Sequence, residues 1–419
     1  MIYSNFNKKE LLNEKERLIQ KLEIYKRQGL KLDMSRGKPS GAQLDISMPL
    51  LQQKLDYKSN GVDYRNYGLP MGIPEIRNLI AELLGVKFEE VMVLDGSSLN
   101  IMFDTVARAM LFGAYKGAKP WSRQKVKFIC CVPGYDRHFA VCEVFGIEMI
   151  NVAMTETGPD MDEVERLVSS DESVKGIWCV PKFSNPDGIV YSDETVKRFA
   201  ALKPKADDFR IFWDNAYCVH ELYEPVTLLN IFDECRKRGS EDMVYEFVST
   251  SKITFSGAGV SAFITSERNM EYAKSIIKYQ TIGPNKINQF MHYCYLPTVE
   301  AIREHMKEEA AIIRPKFELL INRLNEVKKD GLVKFTEPKG GYFVSIYVLD
   351  CCAKRVVELC GEAGVKLTGA GATYPYGKDP CDSNIRLAPT LPPIEEIETV
   401  ADILCVCIRL ASVEKFLSE

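Results

Sequence analysis

The chain has 419 residues, 46% apolar and 27% charged, with a formal net charge of -4. That balance is ordinary for a soluble globular protein and carries no basic excess of the kind that binds nucleic acid or an anionic membrane. No run of about 18 uncharged apolar residues occurs, so no membrane span is expected, and the length suggests two domains or one large domain with a satellite.

The opening stretch, MIYSNFNKKELLNEKERLIQKLEIYKRQG, carries acids and bases on an amphipathic helical pattern. It lacks the apolar segment of a signal peptide, so a cytoplasmic protein with reduced thiols is expected. The 13 cysteines fall in close pairs or as singletons inside apolar runs. That is not metal-ligand spacing, and no metal is expected.

From about residue 74 to 280, short β-branched apolar runs alternate with helical patterns, which predicts a mostly parallel sheet covered by helices. Strands are expected at VMVL (91–94), VKFICCV (126–132), EMINVAM (148–154), KGIWCV (175–180), RIFWD (210–214) and YEFVST (245–250). Helix starts are marked by Pro74 before EIRNLIAELLG and by Ser192-Asp193 before ETVKRFAAL. A charged periodic segment from 286 to 329 leads into GLVKFTEPKGGYFVSIYVL and a final helix, IEEIETVADILCVCIRLASVEKFL. The expected fold class is α/β, with a mostly parallel, seven-stranded-type sheet flanked by helices over residues 61–295. A smaller α+β domain would combine residues 1–60, including an N-terminal arm, with 296–419.

Ligands of open parallel sheets sit beyond the carboxyl ends of the strands, so the turns there are the places to seek chemistry. After VMVL, Asp95-Gly96-Ser97-Ser98 opens a helix whose free N–H groups can hold a phosphate or can simply be capped. After FICCV, the run Pro133 to His138 offers the aromatic face of Tyr135 and an imidazole. In PKFSNPDG, Asn185 either closes a turn or faces a ligand. Asp214 ends an apolar strand, where an acid needs a partner or takes up a proton. Finally, STSKITFSGAGV (249–260) sets Lys252 among small hydroxylated residues and glycines.

A phosphate nest, an aromatic plate, an amide, an acid and a lysine on one sheet edge suit pyridoxal 5'-phosphate. Its aldehyde needs a lysine amine to form a Schiff base, and its ring nitrogen needs a carboxylate to stay protonated. Its 3'-oxygen takes hydrogen bonds from an amide and a phenol, and its ring stacks on an aromatic face.

With these turns in view, the sequence resembles the fold-type I, class I and II aminotransferases, most closely the aspartate aminotransferase subgroup Ic. The likeness runs from about residue 30 to the C-terminus through LDMSRGKPS, DYRNYGLPMGIPEIR, PGYDRHF, NPDGIVYS, WDNAYCVHEL, STSKITFSGAGV and NIRLAPT. The resemblance implies that Lys252 bonds the cofactor aldehyde and later shuttles the substrate's Cα proton. Asp214 would pair with the pyridinium nitrogen, and His138 would bond Asp214 from behind. Tyr217 and Asn185 would bind the 3'-oxygen, and Tyr135 would stack on the ring. Gly96, Ser97, Ser98 and Ser249 would hold the phosphate, with Tyr67 reaching it from the neighbouring subunit of a homodimer. Arg386 would grip the substrate α-carboxylate, with Gly37 and Asn185 nearby and Arg36 and Lys38 as extra cations.

The family pattern places an arginine for the phosphate eight residues after the lysine, and this chain has Val260 there. Arg36, Lys38 or the hydroxyls of Ser251 and Ser256 are expected to compensate. The implied activity is transamination between an amino acid, foremost L-aspartate, and 2-oxoglutarate, with Lys278 one candidate for a side-chain carboxylate. Alanine or aromatic donors, β-elimination of the cystathionine β-lyase kind, and a non-catalytic regulator remain alternatives. The regulator reading suffers from having only about 30 residues ahead of LDMSRGKPS, too few for a winged-helix domain.

Overall fold

The apolar runs pair into one sheet in the structure, a computed structural model that describes residues 3–419. Its strands are β1 (Val91–Asp95), β2 (Lys127–Val132), β3 (Glu148–Thr155), β4 (Val174–Cys179), β5 (Arg210–Asp214), β6 (Val244–Ser249) and β7 (Val260–Thr265). Their order is β1-β7-β6-β5-β4-β2-β3, with a two-residue strand, Gly158–Pro159, on the far edge. All six runs read from the sequence are present. The central strands are buried along their whole length, as a sheet covered on both faces by helices requires.

Strand β7 went unread because its VSAFIT follows directly on the glycines of the Lys252 stretch. It runs antiparallel to both neighbours, pairing Ser261 with Ser249 of β6 and Val260 with Asp95 of β1. Because β7 is reversed against both, β1 runs in the same direction as β6, β5, β4 and β2. The turns after these five strands therefore meet at one edge.

The main helices are α1 (Lys8–Arg27), α2 (Pro74–Leu84), α3 (Ser98–Phe112), α4 (Asp136–Val144), α5 (Glu267–Ile277), α6 (Lys286–Tyr295), α7 (Val299–Lys329) and α8 (Ile394–Ser418). Pro74 stands at the start of α2, and Gly85 ends it in the left-handed region at φ 66°. The periodic segment 286–329 is two helices rather than one, broken at Leu296-Pro297, because proline cannot continue the α6 ladder. Thr298 restarts the chain by accepting the Ala301 N–H at 3.1 Å. No helix among the described residues is long and apolar enough to cross a membrane.

A second, antiparallel sheet orders β8 (Val333–Phe335), β9 (Val344–Val348) and β10 (Asn384–Leu387). Leu18 and Leu22 of α1, Leu320 and Leu324 of α7, and Leu404 and Ile408 of α8 belong to one buried core with Val344 and Ile346 of this sheet. Leu32 and Asp33 pair in parallel with Val365 and Lys366, which fixes the path of the Ser35–Lys38 segment beside the C-terminal third of the chain.

One buried acid in the large sheet has a measurable consequence. Glu246 of β6 takes a 2.8 Å hydrogen bond from Asn215 Nδ2, and burial pushes its carboxyl up to about 7. The folded chain thus holds a proton that the unfolded chain releases, so stability falls as pH rises through roughly 4.5 to 7. Glu246→Gln is expected to gain about 1–3 kcal/mol at alkaline pH and to flatten that slope. Urea unfolding of both proteins near pH 5 and near pH 8 checks this, and an unchanged difference between the two pH values would contradict it.

Candidate active site

A cavity of about 470 Å³ opens at the carboxyl edge of the large sheet. The turns after β1, β2, β4, β5 and β6 supply Ser97, Ser98, Tyr135, Asn185, Asp214, Tyr217, Ser249 and Lys252 to its lining. The Ser35–Lys38 segment adds Arg36, Gly37 and Lys38, and the C-terminal third adds Lys366, Thr368 and Arg386.

Lys252 sits in the turn between β6 and β7, with Nζ 4.7 Å from the centre of the Tyr217 ring and 5.9 Å from that of Tyr342. The backbone of this turn is held by groups that the sequence reading did not single out. The Lys252 carbonyl accepts from His220 Nε2 at 3.1 Å and from the Tyr342 hydroxyl at 3.4 Å. His305 Nε2 donates to the Ile253 carbonyl at 2.5 Å, and Thr254 Oγ1 lies 2.9 Å from His292 Nε2. Burial and the nearby Lys252 charge push His220 down to about 3, so it is neutral and its Nε2 carries the donated proton. The chain has just 4 histidines, and that scarcity is the signal that could have pointed here, since the fourth is His138.

His138 Nε2 stands 3.0 Å from Asp214 Oδ2, and both side chains are buried. The imidazole stacks on Trp178 at 4.4 Å and 10°, which sets its plane. Asp214 Oδ1 is also buried and has no hydrogen-bond partner. A carboxylate oxygen so placed calls for a donor that the protein itself does not provide. Tyr217 is raised well above the usual phenol range by burial, with the Asp214 charge adding to it, and burial lifts Tyr135 to about 12. Both hydroxyls therefore stay protonated near neutral pH.

Arg386, on β10, donates through Nη1 to Asp136 Oδ1 at 2.7 Å and to Asn185 Oδ1 at 3.3 Å. Its guanidinium centre lies 5.0 Å from the middle of the Phe343 ring. A Cβ at Gly37 would come within 2.5 Å of that same ring, so this close passage of the segment requires glycine.

The small-residue turn before α3 is built on close backbone approach. Gly96, at φ 77°, donates its N–H to the Gly259 carbonyl at 3.2 Å. A Cβ at Gly259 would meet Gly96 O and Ser251 Oγ, each at 2.9 Å. Gly96 shapes the turn without itself lining the cavity, whereas Ser97 and Ser98 line it. Val260 is buried in β7. Of the expected substitutes for an arginine there, Ser251, Arg36 and Lys38 line the cavity and Ser256 does not. The Ser256 expectation is corrected: its stretch of the turn, Ser256–Ala258, points to the exposed surface. Ser251 Oγ is buried without a partner.

Two further residues lie outside this cavity. Tyr67 is 80% exposed, and Lys278 is exposed at the end of α5 with Nζ 5.0 Å from the Tyr279 ring centre. Neither reaches the site of its own chain.

Residues 6–419 match the aspartate amino-transferase family. The chain belongs to this family. An aspartate aminotransferase of Corynebacterium glutamicum is 46% identical to this aminotransferase over 410 residues, covering 96% of this chain and 94% of that protein. The crystal structure of an aspartate transaminase from Corynebacterium glutamicum aligns with a TM-score of 0.96 at 44% identity, over 99% of both chains. LysN, an α-aminoadipate aminotransferase of Thermus thermophilus complexed with N-(5'-phosphopyridoxyl)-L-leucine, shares the fold at a TM-score of 0.73 and 20% identity, over 95% of both chains. Membership of the aminotransferase family implies pyridoxal phosphate as cofactor. The residues present fit it: the orphaned Asp214 Oδ1 and Ser251 Oγ and the Lys252 amine all belong to one cavity of suitable size.

Proposed function

We propose that this aminotransferase takes L-aspartate as amino donor and 2-oxoglutarate as acceptor, in two half-reactions at the Lys252 cavity. The observation that carries the choice of dicarboxylates is the charge of the lining. Arg36, Lys38, Arg137, Lys366 and Arg386 face the same space as Lys252, against Asp136 and Asp214. A second carboxylate on the substrate meets cations here that a monocarboxylate would leave unused.

Pyridoxal phosphate, when bound, supplies a conjugated ring that accepts the electron pair released when the substrate's Cα–H bond breaks. The Lys252 amine would anchor it covalently and, once the substrate amine takes that place, move the Cα proton. Asp214 Oδ1 would accept from the ring nitrogen while His138 fixes Oδ2, a division of labour that keeps the carboxylate oriented. Tyr217 and Asn185 would donate to the ring oxygen, and Tyr135 would cover one face. Arg386 would hold the α-carboxylate, where a planar fork sets the plane of that group and so the direction of the Cα–H bond.

Ser97, Ser98 and Ser249 would receive the phosphate, on the turn that Gly96 shapes, with Ser251 adding a donor in place of the arginine absent at Val260. Ser251→Ala is expected to weaken cofactor binding by about ten- to a hundredfold, the worth of one hydrogen bond to a charged group. Fluorescence titration of the apoprotein measures this, and an unchanged dissociation constant would remove Ser251 from the phosphate site.

The same reading makes the protein a cytoplasmic homodimer in which Tyr67 serves the partner's phosphate. Support comes from the exposure of Tyr67, Tyr279 and Ile282 at 80%, 82% and 63%, on loops that meet where Gly283 packs on the Gly68 carbonyl. Sedimentation of the active holoenzyme at the mass of one 47.5 kDa chain would end that part of the reading. A screen of amino donors against oxoacid acceptors tests the substrate assignment. Fastest turnover with aspartate and 2-oxoglutarate supports it, and preference for an uncharged donor contradicts it.

A further inference from the structure

The guanidinium proposed to take the substrate's α-carboxylate is already engaged by a carboxylate of the chain itself. Asp136 Oδ1 stands 2.7 Å from Arg386 Nη1, in an ion pair whose arginine side chain is 7% exposed and whose acid is 35% exposed. Arg386 Nε is buried without a partner. Nη1 is the atom that Asp136 holds, with Asn185 Oδ1 a second acceptor at 3.3 Å, so a ligand that grips the fork along its Nη1–Nη2 edge meets a nitrogen whose donors are already taken. A bidentate grip along that edge needs both nitrogens.

The geometry points to Asp136 as a tethered competitor that occupies the α-carboxylate seat and must be displaced by every substrate. This rests on the reading of Arg386 given above. Asp136 is suited to leaving and returning. It is the first residue of α4, so its backbone is fixed and the helix N-terminus favours its negative charge wherever the side chain turns. With its side chain 35% exposed, the displaced carboxylate can turn to solvent and leave the cations of the cavity to the ligand. The tether also makes its local concentration high, so a free carboxylate competes against an intramolecular one.

The consequence is quantitative and has a signature. Displacing Asp136 costs the same whatever the rest of the ligand is, so it weakens all α-carboxylate ligands by one common factor. It sets the level of affinity without changing the preference between substrates. A residue of the side-chain pocket would instead alter the ratio between dicarboxylic and monocarboxylic ligands.

The test is calorimetric titration of the holoenzyme with two unreactive ligands, maleate as a dicarboxylate and 3-phenylpropionate as a monocarboxylate. Asp136→Asn, which keeps the shape and loses the charge, is expected to bind both about five- to twentyfold more tightly, by the same factor. Asp136→Ala, which removes the acceptor altogether, is expected to bind them at least as tightly as Asp136→Asn. KM for aspartate and for 2-oxoglutarate should fall in step. Unchanged or weaker binding in both variants would overturn the proposal, as would a gain confined to one ligand. Arg386→Ala separates this from the underlying reading: if it binds both ligands as well as the parent does, the carboxylate seat lies elsewhere and the assignment of Arg386 falls as well.

Discussion

Lys252→Ala is expected to abolish the long-wavelength absorption band that marks a lysine-bonded pyridoxal phosphate, and to slow transamination by about ten-thousandfold or more. The size of the effect follows from two losses at one atom, the covalent anchor and the proton carrier. The variant should still fold, because the turn is held through main-chain carbonyls. His220 and Tyr342 bond the carbonyl of Lys252 itself, and His305 bonds that of Ile253, none of which needs the lysine side chain. Noncovalent retention of the cofactor with loss of the band is the result that identifies the lysine. A band of undiminished strength would sink the assignment.

Asp214→Ala is the second large effect, and it should separate cofactor attachment from turnover. The band should survive, since the amine of Lys252 is untouched, while kcat falls by about a hundredfold to several-thousandfold. That range corresponds to a loss of roughly 3–5 kcal/mol of transition-state stabilisation. Because His138 would lose its 3.0 Å partner while still stacked on Trp178, some folding stability should go as well. Thermal unfolding must therefore be measured beside kinetics, with Asp214→Asn as the milder variant. Wild-type turnover in a folded Asp214→Ala protein would exclude the carboxylate from the reaction.

The edge of the large sheet was readable in advance because each of its turns breaks an apolar, β-branched run with small or polar residues. Asp95-Gly96-Ser97-Ser98, Asn185, Asp214 and Lys252 all announce themselves in this way, and the strands that carry them were placed to within a residue or so. Strand β7 was hidden for the opposite reason. Its six residues follow Gly257 and Gly259 with no turn of their own, and beyond β6 its other partner is β1, some 165 positions earlier in the chain. No local pattern encodes a pairing of that range. The break before α7 was overlooked although Pro297 marks it, because the charged periodicity resumes on the far side.

The partners of the site were less legible than its centre. His220, His305 and His292 are single histidines far apart in the sequence, and a lone histidine ordinarily packs as a neutral core residue. Their common purpose appears once the fold places them around residues 252 to 254. Lys366 and Thr368 reach the cavity because Leu32 and Asp33 pair with Val365 and Lys366, a contact between the two ends of the chain. The hold of Asp136 on Arg386 spans 250 positions and depends on how α4 meets β10. Ser251 was singled out with Ser256 from the sequence as an alternative to a missing arginine, and burial distinguishes the two.

The most direct measurement is a single half-reaction. Purified holoenzyme is mixed with L-aspartate alone, without any oxoacid, and both the cofactor spectrum and the products are followed. The proposed function predicts loss of the lysine-linked band together with about one oxaloacetate per chain and no free ammonia, after which the reaction stops until 2-oxoglutarate restores the band. Continuous release of ammonia, or a spectrum that aspartate leaves unchanged, would contradict it.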